Sequence, residues 1–100
     1  MPLNHADTSQ GAIFGRVVQP EKATLDDAAA RAFLDFDFRR TDKDRMRELL
    51  AKAKAGTLTA EEETEIDNYE RVGHMLSLIK SKARRSIKAG QEKDKSPGTH

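Results

Sequence analysis

The chain contains no cysteine and no tryptophan, only three prolines and five aromatic residues in 100 positions. Without cysteine there is no disulfide scaffold, no thiolate zinc site and no thiol nucleophile. No apolar run approaches the ~18 residues needed to cross a bilayer, and no charged-then-apolar leader opens the chain. The expected setting is therefore cytoplasmic, with no membrane contact. Charge of one sign is also lacking: 18 basic and 17 acidic side chains give +1. Such a balance supplies no bulk electrostatic grip on nucleic acid. The length suits one small domain.

What is present is helical periodicity between two polar ends. Residues 1–10 and 89–100 have almost no large apolar side chains and are expected to be disordered. Residues 12–18, Ala-Ile-Phe-Gly-Arg-Val-Val, are short, β-branched and bounded by Gly11 and Pro20. That is a strand-like signature. No second strand exists to pair with it, so the segment 12–18 within a flexible arm 1–23 is packed on helices, loose, or completed by another chain.

Residues 24–88 are expected to form an all-α domain of three helices. Thr24 with Asp27 three residues on marks the first, over 25–36. Thr41 with Asp44 marks the second, over 42–55, which Gly56 ends by turning left-handed. The clearest start is Thr59-Ala60-Glu61-Glu62, a capping box opening a long helix over 60–88. Its apolar seam is Ile66, Tyr69, Val72, Leu76, Ile79, Ala83 and Ile87. Gly73 interrupts good helix formers and fits a close helix–helix contact first, a weak hinge second. Two short helices do not cover a seam of this length. Its C-terminal third, from Ile79 to Ile87, is expected to need a second surface, from self-association or a partner.

Catalytic groups are sparse. His5 and His100 fall in the polar ends, and His74 has only Glu70 at helical spacing, a pattern that suits a surface ion pair. The run Glu61, Glu62, Glu63, Glu65, Asp67 and Glu70 suits the positive end of a helix dipole, as a solvated face. There is no glycine-rich phosphate loop. The expectation is no enzyme, no cofactor and no metal. The basic end of the long helix has more to offer. Lys80, Arg84 and Lys88 lie at i, i+4 and i+8, a line that fits solvent, an acidic protein surface or a phosphate backbone. No aromatic is interleaved for base stacking.

Several stretches carry a resemblance: Ile13 to Pro20 with Thr24-Leu25, Ala29-Ala30-Arg31-Ala32, Phe36-Asp37-Phe38 and Asp42 to Met46 with Glu48-Leu49. The most specific is Gly56 to Glu62, followed by Ile66 to Tyr69, Arg71 to His74 and Ser81 to Arg84. Over about residues 12–88 the chain resembles a group of small bacterial helical proteins common in planctomycetes and cyanobacteria. Members often carry Pro where Ala60 stands. Their genes often lie beside one for an HNH-type nuclease. The resemblance implies an antitoxin- or immunity-like protein that binds and restrains or chaperones that nuclease. The residues expected to meet the partner are Ile13, Phe14 and Val17 in the strand-like segment and Leu76, Ile79 and Ala83 on the seam. The alternatives are a small DNA-binding regulator using Lys80, Arg84 and Lys88, or a homodimeric adaptor.

Overall fold

The computed structural model describes residues 7–94, and among them there is no strand. Four helices follow in order: α1 Gln10–Val18, α2 Asp27–Leu34, α3 Arg40–Ala55 and α4 Ala60–Asp94. The chain divides into two compact units. One is Asp37–His74, the hairpin of α3 with the first part of α4. The other joins residues 7–36 with residues 75–94. Of the ends expected to be disordered, 1–10 and 89–100, residues 1–6 and 95–100 lie outside the described residues, as do His5 and His100, while Asp7 and Ser9 are held in the start of α1.

The strand-like segment 12–18 is helical, and this corrects the three-helix expectation to four. A lone strand leaves its amides and carbonyls unpaired, whereas a helix satisfies most of them internally. Local chemistry starts it: the Ser9 hydroxyl accepts from the Ala12 amide at 3.3 Å, and Asp7 accepts from the Ser9 amide at 2.8 Å. Tertiary chemistry ends it. Gln19 is left-handed (φ 51°), and its amide donates to the Gly15 carbonyl at 2.9 Å. The Lys82 ammonium, 64 residues away, donates to the Val18 carbonyl at 2.7 Å and more weakly to that of Gln19 at 3.4 Å. A cation on the negative end of a helix is favourable, and these carbonyls have no helical partner of their own.

In the same unit α2 begins later than Thr24 suggested. Asp26 is the N-cap, its carboxylate accepting from the Ala29 amide at 2.8 Å. The Leu25 amide is drawn instead to the Ser86 hydroxyl on α4 at 3.1 Å, and that hydroxyl donates to the Lys82 carbonyl at 2.8 Å. Ser86 is buried, and Ala30 and Ala83 are wholly so. Small side chains at such positions let helices approach closely. The C-terminal part of the seam is thus not left bare: Ala83 is buried, and Ile79 and Ile87 are half-buried. Gly15 stands over Leu78. The long helix also runs past residue 88 to Asp94, into the stretch expected to be disordered. Ala89, Gln91, Glu92 and Lys93 are good helix formers and outweigh Gly90.

The hairpin unit follows the sequence more closely. Gly56 has φ 72° and closes α3, with its amide on the Ala53 carbonyl and the Thr57 amide on that of Lys52. The capping box forms in full: Thr59 Oγ1 accepts from the Glu62 amide at 3.1 Å, and Glu62 Oε1 accepts from the Thr59 amide at 3.0 Å. The cap expected at Thr41 does not form. The helix begins two residues earlier, with Arg39 as a cap that makes no side-chain bond.

Candidate interaction surfaces

Three surfaces carry the chemistry of the described residues: one edge of α1, the polar back of the hairpin and the open groove on its front.

On α1, Gly11, Ala12, Phe14, Gly15 and Val18 are half-buried, while Ile13 and Val17 project outward with 44% and 74% of their surface exposed. They lie at i and i+4, so they form one apolar stripe. Of the residues expected to meet a partner, these two are the accessible ones. Phe14, Leu76 and Ile79 are half-buried, and Ala83 is wholly buried. Of the basic line, Arg84 and Lys88 are exposed and Lys80 is half-buried, and none has an ion-pair partner among the described residues.

The back of the hairpin is a network that draws in Glu62 and Glu65, two carboxylates of the run expected to face solvent. Arg45 on α3 grips Glu65 on α4 bidentately, Nε to Oε1 and Nη2 to Oε2 both at 3.1 Å, and also donates to Glu48. The Glu65 contacts, then that to Glu48, hold the guanidinium above its already high ordinary range. Lys52 donates to Glu62 at 2.6 Å. Glu62 is buried, and the Lys52 bond followed by the Thr59 amide bond brings its carboxyl down to about 2. One residue therefore caps α4 and latches it to α3. Nearer the other end, the Tyr69 hydroxyl donates to Asp42 at 2.6 Å, which raises the phenol above its ordinary value, burial adding to the effect. Phe38 packs edge-on against the Tyr69 ring, 5.8 Å between centroids. The signal for this network was in the sequence: Arg45, Glu48 and Lys52 share one face of α3, and Glu62 and Glu65 one face of α4.

The front of the hairpin is open. A groove of about 740 Å³ runs between the helices over Met46, Leu50, Ala53, Ile66, Tyr69 and Gly73. Leu49 is buried beneath it, but Leu50 keeps 55% of its surface in solvent. Among the described residues Gly73 marks no close contact, because a Cβ built there has no neighbour within 4 Å. It is a helix-interior glycine, costing roughly 1 kcal/mol relative to alanine, with open space in front of it. His74 is exposed on the same helix, and no group of three His, Cys, Asp or Glu among the described residues is placed to hold a metal.

No protein-family model, curated protein or solved structure matches the chain.

Proposed function

We propose that this chain is a non-catalytic docking protein, antitoxin- or immunity-like, that binds and restrains or chaperones a nuclease of the HNH type. The observation that carries the docking part is the stripe of Ile13 and Val17, 44% and 74% exposed on a helix whose other face is held by α4. Apolar side chains paired on an exposed helix face are the anchors of helix-in-groove recognition, in which a partner supplies the groove. The resemblance over residues 12–88 supplies the class of partner. In this reading α1 meets the nuclease as a helix, and strand addition plays no part. Leu76 and Ile79 act behind it by holding α1 in place, and Ala83 acts as packing.

A second reading rests on Arg84 and Lys88, exposed one turn apart and free of ion pairs among the described residues. It makes the protein a DNA-binding regulator whose contact is to phosphates.

Co-expression with the proposed partner, an HNH-type nuclease, followed by size-exclusion chromatography, separates the two. The docking reading expects a stable co-eluting complex that Val17→Asp disrupts and Arg84→Glu with Lys88→Glu leaves in place. No complex, together with DNA binding that falls steeply as salt rises, transfers the function to the basic line.

A further inference from the structure

The hairpin groove is a surface distinct in its residues from Ile13 and Val17, and its rims differ in charge. On α3 the rim is Lys43, Arg47, Leu50 and Lys54, at i, i+4, i+7 and i+11. On α4 it is Glu63, Asp67, Glu70 and His74, at the same spacing. Lys43, Arg47 and Glu70 line the groove, and helical spacing extends each rim from them. All of these residues are exposed. Glu63, Asp67 and Glu70 have no ion-pair partner among the described residues, while Lys43 and Arg47 have only exposed partners, Asp37 and Asp44. Exposed pairs of this kind are exchanged at little cost.

We propose that the groove is the dimer interface of this protein: a second copy seats its own hairpin front-to-front, completing a four-helix bundle. The pairing is specified by charge. With the two-fold axis along the helices, α3 of one copy lies beside α4 of the other, so each basic rim meets an acidic rim. With the axis across the helices, basic would meet basic and acidic would meet acidic, which the same charges disfavour. The register is fixed within each hairpin by the Asp42–Tyr69, Arg45–Glu65 and Lys52–Glu62 contacts. It sets Lys43 level with Asp67 and Glu70 of the second copy, and Arg47 level with Glu63 and Asp67. Such an interface is isologous and closed, so association stops at two.

Size and shape agree. The 16 residues of α3 span about 24 Å, and two helices side by side are about 20 Å wide. Each copy thus offers about 500 Å², and the pair buries about 1,000 Å², the size of a weak but specific interface. Leu50 and Met46 fill the groove of the opposite copy. The open space before Gly73 is room for that packing, which accounts for a glycine that no contact among the described residues requires.

The test is sedimentation equilibrium of the full chain at tens of micromolar, with circular dichroism as the folding control. The expected mass is that of a dimer. Leu50→Glu gives a monomer of unchanged helicity, since Leu50 is already more than half exposed. Lys43→Glu with Arg47→Glu weakens the dimer by about tenfold or more. Adding Asp67→Lys and Glu70→Lys to that variant, which exchanges the rims, restores dimerisation. A monomeric wild type, a Leu50→Glu variant that dimerises normally, or a four-fold variant that stays monomeric overturns the proposal. Each would do so while leaving the docking by Ile13 and Val17 untouched.

Discussion

Replacing Lys82 by Met removes a charge while keeping most of an aliphatic stem. In the folded protein the ammonium donates to Val18 at 2.7 Å and reaches Gln19 at 3.4 Å, at the C-terminal end of α1. A hydrogen bond from a charged donor contributes about 1.5–3 kcal/mol net, and a cation at a helix C-terminus about 0.3–1 kcal/mol. Lys82 is half-buried, so water replaces part of the loss, and the lower part of the range applies. The expected cost is about 1–2 kcal/mol. It falls on a nine-residue helix that is too short to persist alone. Hydrogen exchange followed amide by amide is the assay. Protection from Ile13 to Gln19 should drop by roughly tenfold, 1.4 kcal/mol being a factor of ten, while the amides of α3 keep theirs. Unchanged protection in α1 would refute the idea that a lysine 64 residues away determines the state of this segment.

Gly15→Ala should stabilise the protein by roughly 0.5–1 kcal/mol in thermal unfolding, because the added methyl meets Leu78 at an ordinary 3.6 Å and the helix gains a better former. Ser86→Ala should destabilise by about 1–3 kcal/mol in denaturant unfolding, since it leaves the Leu25 amide without its acceptor. Acid titration should expose Glu62. Its folded carboxyl lies at about 2 against an ordinary value of 4.5, so its contribution is whole above about 4.5 and disappears as pH falls toward 2. Glu62→Gln should be less stable at neutral pH and should flatten that part of the profile.

What was legible in the sequence was mostly local. The Thr59–Glu62 box and Gly56 each act within a few residues, and both appear in the structure where the spacing placed them. The seam of α4 was equally plain, because a repeated apolar period needs no partner to be recognised. The misreadings share a cause in long-range contacts. Ile13, Phe14, Val17 and Val18 favour a strand locally, but Gly15 between them stands over Leu78 of α4 and Lys82 holds their last turn. Thr24 is a sound cap by type, yet Ser86 takes the Leu25 amide and moves the start to Asp26. Glu62 and Glu65 were read as solvated because the row that meets them, Arg45 and Lys52, belongs to another helix. The exposed edge of α1 carries two residues expected at a partner surface, Ile13 and Val17, although in a different conformation. The hairpin groove could not be read from spacing: Leu49 and Leu50 are adjacent and equally apolar, and only packing shows that one is buried and the other bare.

The most direct test of the proposed docking is calorimetric titration of the proposed partner, an HNH-type nuclease, with wild-type protein and with Val17→Asp. Val17 is 74% exposed, so the substitution leaves the fold intact, which circular dichroism verifies. The account predicts tight binding by the wild type and a loss of about 2 kcal/mol or more in the variant, the scale of an anchor residue at an interface. Equal affinity for the two proteins, or no binding by the wild type, would contradict it.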